Sequence, residues 1–261
     1  MPREASHGRV LVKACLNGGR HRAEHEAVPV TPDELAADGR AAVEAGAAAL
    51  HVHPRGADER ETLDAGACGG AITALRRACP GIPVGLSTAA WMAPDPRRRV
   101  ALIESWTVLP DFASVNFSEP GTAAVCEALL RRGVGIEAGL WSLDDVRALI
   151  ASDLAAKCLR ILVEAQPLDP KDAVAAAAAM DAALDRAGIA LPRVHHGEGH
   201  ATWAVLDAAL DRARDIRIGL EDTLYLPDGR RARGNADLVA EAVSMVRGHG
   251  HRPISSANER A

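Results

Sequence analysis

The sequence predicts an α/β protein, a (β/α)8 TIM barrel built as one domain over residues 1–261. Three observations predict it. Eight short apolar runs alternate with longer stretches of helical spacing, the order that gives a parallel sheet with helices outside. The length, 261 residues, is near the roughly 250 that such a barrel takes. A polar residue also stands at the C-terminal end of each run, the face on which barrels build their active sites. An open doubly wound sheet is the competing arrangement, but no GxGxxG follows the first run to mark a dinucleotide site.

Taken in order, the first run is Val10–Leu16, ending at Asn17. Thr31-Pro32-Asp33-Glu34 then reads as an N-cap, a proline at the first helical position and a glutamate completing a capping box. It opens a helix over Pro32–Ala45 that Gly46 stops. The second run, Ala48–His53, ends on His51 and His53 and leads to a helix over Asp64–Ala78. The third, Pro83–Ser87, ends on Ser87 with Thr88 beyond it. The fourth, Phe112–Phe117, carries Asn116 and precedes a helix over Ala123–Arg132 that Gly133 ends. The fifth, Val134–Ala138, carries Glu137. The sixth, Leu159–Glu164, ends on Glu164 and is followed by a helix over Pro170–Ala187 that Gly188 stops. The seventh, Arg193–His196, ends on His195 and His196. The eighth, Ile216–Glu221, ends on Glu221 with Asp222 next, before a helix over Ala236–Arg247. No linker or low-complexity tract interrupts the order. Arg252–Ala261 reads as a poorly ordered tail.

Composition excludes several classes. Charged residues are 25% and apolar ones 48% of the chain, ordinary for a globular protein with a large core. The formal net charge of −5 gives no general attraction to nucleic acid or an anionic membrane. No apolar run approaches the roughly 20 residues that span a bilayer. Met1–Arg9 is polar, unlike a signal peptide. The five cysteines are scattered with no C-x-x-C, which fits a reducing cytoplasm better than a disulfide framework.

His51-Val52-His53 is the sharpest motif. Residues i and i+2 of a strand face the same side, so both imidazoles project into the barrel mouth. Nitrogen ligands of this kind suit zinc. In a closed barrel strands 8 and 2 both flank strand 1, so Glu221 can sit level with the pair. Two histidines and one carboxylate leave positions open for water or substrate, as a catalytic metal requires. The plain alternatives are histidines hydrogen-bonded at a strand end and a Glu221–Arg217 salt bridge. Asp222 is a candidate general base, or else a cap for the turn Leu226-Pro227-Asp228-Gly229. The turn His196-Gly197-Glu198-Gly199 could bind an anion through its backbone N–H groups. Arg97, Arg98 and Arg99, and Arg230, Arg231 and Arg233, are either solvated surface or contacts for the phosphates of a nucleotide-like substrate.

Over nearly the whole chain these residues resemble the β-keto acid cleavage enzymes. The stretches are Leu16-Asn17-Gly18-Gly19-Arg20, Val28-Pro29-Val30-Thr31-Pro32-Asp33-Glu34-Leu35, Ala45-Gly46-Ala47, His51-Val52-His53-Pro54-Arg55, Leu86-Ser87-Thr88, Ile136-Glu137-Ala138-Gly139 and Asn235-Ala236-Asp237-Leu238-Val239. The most specific is Arg217-Ile218-Gly219-Leu220-Glu221-Asp222-Thr223-Leu224-Tyr225. The resemblance implies a TIM barrel holding zinc through His51, His53 and Glu221. It implies exchange between a 3-keto acid and acetyl-CoA, giving acetoacetate and a new acyl-CoA. Asp222, oriented by Arg217, would abstract the proton. Ser87, with Thr88 adjacent, would hold the substrate carboxylate, and Glu137 would be a further acidic residue of the site. Asn17 and Asn116 stand among the substrate-binding candidates, and family analogy implies a homo-oligomer.

The chain also departs from the family. Arg20 stands where some members carry an acidic residue that binds a substrate amine; it would suit a neutral or anionic tail, or turn outward. The loop Asn116-Phe117-Ser118-Glu119-Pro120-Gly121 differs as well. Two rivals remain. One is a metal-dependent hydrolase of the amidohydrolase type, with His195 or His196 supplying a third nitrogen. The other is a zinc-containing barrel that binds an acyl-CoA or keto acid without turning it over.

Overall fold

A computed structural model describes residues 8–255. Eight parallel strands close on themselves: β1 (Val12–Cys15), β2 (Ala49–Val52), β3 (Val84–Ser87), β4 (Phe112–Asn116), β5 (Gly135–Leu140), β6 (Arg160–Ala165), β7 (Arg193–Gly197) and β8 (Asp215–Ile218). Each pairs with the next, and β8 pairs with β1 to complete the barrel. A helix follows every strand: α1 (Pro32–Glu44), α2 (Ala65–Ala78), α3 (Pro96–Glu104), α4 (Thr122–Arg131), α5 (Leu143–Ala151), α6 (Pro170–Arg186), α7 (Thr202–Leu210) and α8 (Asn235–Gly248).

The five expected helices are present with ends within a few residues. The capping box of α1 forms in both directions: the Glu34 N–H donates to Thr31 Oγ1 at 3.3 Å, and the Thr31 N–H donates to Glu34 Oε2 at 3.0 Å. Three further helices, α3, α5 and α7, complete the ring at nine residues each. Two and a half turns carry too few apolar repeats to announce a helix by periodicity. Side-chain caps mark two of them, Asp95 accepting from the Arg97 N–H and Ser142 from the Asp145 N–H.

Two apolar layers hold the fold. The larger lies between strands and helices, with Leu35, Leu50, Ile72, Leu75 and Val239 among its fully buried members. Each such side chain stabilises the fold by about 1.5–3 kcal/mol on leaving water. The smaller fills the barrel itself: Leu11, Ala49, Phe112, Leu162, Val194 and Ile254. Gly85 makes room there, since a Cβ on it would lie 1.9 Å from the Phe112 ring. At the base, Arg9–Val10 pairs in parallel with Arg252–Pro253. The Ile254 N–H then donates to the Val10 carbonyl at 2.9 Å. Part of the expected loose tail is therefore ordered, because buried Ile254 closes the bottom of the barrel; residues 256–261 lie outside the described residues. Among those described, no helix is long and apolar enough to cross a membrane, and all five cysteines are buried and free.

Candidate metal centre and active site

His51 and His53 face the same way from the end of β2, both buried, with Nε2 atoms 3.1 Å apart. Glu221, just beyond β8, approaches from the other flank of β1. Its Oε2 is 3.8 Å from His51 Nε2 and its Oε1 is 3.7 Å from His53 Nε2. Gly18 admits it: φ there is +50°, and a Cβ would lie 2.3 Å from Glu221 Cγ. A side chain at Gly18 would thus be strained and would displace the carboxylate.

These three residues fit a divalent ion. Their ligand atoms lie within 4.8 Å of one another. Bonds of about 2.0–2.1 Å in a tetrahedron put ligand atoms about 3.3 Å apart, close to the spacing found. Glu221 Oε2 is buried with no hydrogen-bond partner among the described residues, so an acceptor is left for a cation. Two imidazoles and one carboxylate suit zinc and its neighbours. Burial keeps His51 well below the ordinary histidine pKa, and a neutral imidazole is the ligating form. Burial also opposes charge on His53, but the Glu221 and Glu61 carboxylates outweigh it and hold its pKa up to about 9.

Arg217 sits beneath this cluster, buried, with Nη2 2.7 Å from Glu221 Oε1 and 2.6 Å from Asp222 Oδ1. Glu221 thus meets Arg217 through one oxygen and leaves the other without a hydrogen-bond partner among the described residues. Burial opposes ionisation of Glu221, and Arg217 with the two histidines overrides it, keeping the carboxyl well below its usual range. Asp222 turns inward onto Arg217 and does not cap the turn Leu226–Gly229. His196 joins from β7: Nδ1 is 3.2 Å from Asp222 Oδ1, and Nε2 is 3.0 Å from Glu164 Oε2. Burial and the Arg217 charge oppose a proton on His196, and the two carboxylates prevail, raising its pKa.

A cleft of about 270 Å³ opens over these groups, lined by Gly19, His53, Trp91, Trp141, Glu164, Gln166, His196, Glu198, Arg217, Glu221 and Asp222. Trp91, Trp141, Gln166 and Glu61 carry no mark in the sequence, because all lie in the connections that follow strands. Polar strand ends were the available signal, and loop side chains give none.

Several expected site residues support the cleft rather than line it. Asn17 clamps His53: it accepts from the His53 N–H and donates to its carbonyl, each at 2.9 Å, and also donates to the Pro29 carbonyl at 3.1 Å. Thr88 donates to the Ser114 carbonyl at 2.7 Å, and Ser87 accepts from the Ala89 N–H at 3.3 Å. Asn116 donates to Glu119 at 2.9 Å. Glu137 does not reach the mouth: it lies fully buried inside the barrel, 2.7 Å from Lys13 Nζ and 3.2 Å from Arg160 Nε. Its carboxylate is spent on those two cations, which corrects its expected place beside the substrate.

Other expectations are corrected by direction. Arg20 gives its guanidinium to Glu24 at 2.8 Å and does not line the cleft. His195 points out of the barrel, 3.4 Å from Asp181 on α6. Neither it nor His196, held between two carboxylates, joins the three-residue cluster, which removes the sequence argument for the hydrolase rival. The turn N–H of Gly199 donates to the Asp222 carbonyl at 2.8 Å. Arg99 is buried against Glu119 and the Pro120 carbonyl. Arg230 and Arg233 pair with Asp228 and Asp237, and Arg231 donates to the Glu24 carbonyl. None of these four arginines lines the cleft.

Fold and site together define a closed (β/α)8 barrel with three residues that could hold a divalent ion at its C-terminal mouth. The chain belongs to the beta-keto acid cleavage enzyme family, whose model matches residues 9–261. It is 24% identical to a 3-keto-5-aminohexanoate cleavage enzyme of Fusobacterium nucleatum, over 96% of each chain. It is 21% identical to one of Acetoanaerobium sticklandii, again over 96% of each. Among solved structures it is similar to ObcA in a ternary complex with a C4-CoA adduct and oxalate, at a TM-score of 0.75 and 17% identity. That match covers 90% of this chain and 66% of ObcA. A binary complex of ObcA with oxaloacetate gives 0.74 and 18%, with the same coverage. The chain thus spans just under two thirds of ObcA, and this likeness establishes the fold.

Proposed function

We propose that this chain is a zinc-dependent β-keto acid cleavage enzyme that takes a 3-keto acid and acetyl-CoA to acetoacetate and a new acyl-CoA. The observation that carries the reading is the convergence of Arg217 and Asp222 on the cluster of His51, His53 and Glu221, with a cleft over them that His53, Arg217, Glu221 and Asp222 line. Family membership supports the reaction class, and relatives named for keto acid cleavage or bound to a CoA adduct support the two substrates.

The residues divide the work as follows. Asp222 takes a proton from C2 of the keto acid. Arg217 holds Asp222 in place. The C2 carbanion attacks the acetyl carbonyl, forming a carbon–carbon bond and expelling the CoA thiolate. The thiolate then adds to the original C3 ketone, and the C2–C3 bond breaks. The new acyl-CoA leaves, and the proton held by Asp222 returns to the acetoacetate carbon. When bound, the ion supplies Lewis-acid stabilisation of negative charge developing on the keto acid oxygens, worth several kcal/mol.

The test is a panel of 3-keto acids incubated with acetyl-CoA and zinc-loaded protein, read by mass spectrometry. One acetoacetate should form per new acyl-CoA. Keto acid loss without acyl-CoA would point to a hydrolase, and binding with no product across the panel to a non-catalytic barrel.

A further inference from the structure

The two histidines of the cluster are not equally supported. His51 Nδ1 is buried with no hydrogen-bond partner among the described residues. His53 Nδ1, by contrast, is 2.5 Å from Glu61 Oε1. Glu61 lies eight residues on, in the loop after β2, and reaches His53 because that loop folds back on itself. Arg55 and Glu61 face each other across an antiparallel bridge, and the Thr62 N–H donates to the Pro54 carbonyl at 2.9 Å. Glu61 is itself held: Trp91 Nε1 lies 3.1 Å from each of its oxygens. The Trp91 ring stacks on the His53 ring at 6.4 Å between centroids, 21° from parallel.

We propose that Glu61 is a positioning residue of the metal centre, with Trp91 fixing the plane of its carboxylate. The proposal rests on the metal reading of His51, His53 and Glu221. Its physical content is a choice of tautomer. A carboxylate at Nδ1 accepts the ring proton there, so the Nε2 proton is the one an ion would displace and Nε2 the nitrogen that would face it. An imidazole anchored in this way also holds its ring orientation, and loss of such a partner typically costs about 10–100-fold in metal affinity. Asn17 already fixes the His53 backbone at both N–H and carbonyl. Glu61 fixes what the backbone cannot, the rotation and protonation of the ring. His51, lacking such a partner, relies on its packing in the strand.

The test measures zinc affinity of metal-free protein by competition with a chromophoric chelator, alongside the melting temperature of the same metal-free samples. Glu61→Ala should bind zinc about 10–100-fold more weakly with the metal-free melting temperature unchanged. Glu61→Gln, whose carbonyl still accepts the Nδ1 proton without a charge, should fall between wild type and Glu61→Ala. Trp91→Phe keeps the stacked ring but loses the N–H, and its loss should be smaller than that of Glu61→Ala. Wild-type affinity in a stably folded Glu61→Ala would overturn the proposal and leave Glu61 as an anchor for Trp91. Should Glu61→Ala melt early, Glu61→Gln decides, and wild-type affinity in that variant overturns the proposal equally. A wild-type protein that binds no zinc would remove the metal reading itself, an outcome distinct from the first two.

Discussion

Arg217 and Asp222 are joined through one oxygen: Nε at 3.1 Å and Nη2 at 2.6 Å both reach Oδ1. His196 also meets that oxygen, at 3.2 Å. Oδ2 has no hydrogen-bond partner among the described residues and is buried. The carboxylate is therefore held through one oxygen, and the other is left without a partner and able to take a proton.

Asp222→Asn should accordingly lower turnover by about 10²-fold or more, the scale of losing a general base. Metal content should stay near one ion per chain, because Asp222 stands outside the ligand cluster. His51→Ala and Glu221→Ala should instead lose metal. Elemental analysis beside steady-state rates checks this; full metal content in both ligand variants would move the centre elsewhere.

Glu137→Leu should destabilise the fold. It leaves Lys13 and Arg160 buried without their carboxylate, and breaking a buried pair costs about 3–5 kcal/mol. For a chain of this size that is a fall on the order of 10 °C in melting temperature. A variant that melts like wild type yet has lost activity would return Glu137 to the catalytic groups.

Arg20→Ala should leave the preference between amino-substituted and neutral 3-keto acids unchanged within about twofold, because a charge paired with Glu24 at the surface is screened. Ratios of kcat/KM for a matched substrate pair measure this. A large gain for the amino substrate would mean that Arg20 swings inward during catalysis.

Asp38 on α1 gives a pH dependence. Burial pushes its carboxyl up to about 7, against the Asn235 side chain, which donates to it at 2.6 Å. Asn235 in turn pins the Leu16 carbonyl and the Leu220 N–H, one residue before Asn17 and Glu221 respectively. The unfolded carboxyl titrates near about 4, so the folded pKa is the higher. Asp38 thus favours the fold fully below about pH 4, and that contribution is lost as pH rises through about 7. Asp38→Asn cannot ionise. Its melting temperature relative to wild type should rise by a few degrees, on the order of 2–4 °C per kcal/mol, between pH 5 and pH 8. An unchanged difference would mean Asp38 titrates normally.

Much of this was readable in the chain because strands and the mouth they end at are one signal. Apolar runs that stop on Asn17, His51, Ser87, Glu164 or Glu221 mark both an element and its functional end. Direction was harder. His195 and His196 are neighbours, and adjacent strand residues face opposite ways. Only pairing of β7 with β6, which sets His196 level with Glu164, shows which one turns inward. Arg20 and Glu137 were placed by position along the chain, while their partners Glu24, Lys13 and Arg160 decided where their charges went. Glu61 was invisible for a further reason: its role depends on a loop folding back, and no periodicity describes that.

The parallel pair at the base of the barrel joins Arg9 to Arg252 and Val10 to Pro253, while Val12 is registered with Ile216. The first strand consequently waits for the last. During synthesis β1 can meet β2 early, but its other edge stays unpaired until most of the chain has left the ribosome. An open edge of that kind can template pairing with another chain. Contacts of such long sequence separation also slow folding. The seam between the first and last strands is thus an edge that a nascent chain of this protein must keep from misassembly until synthesis is nearly complete.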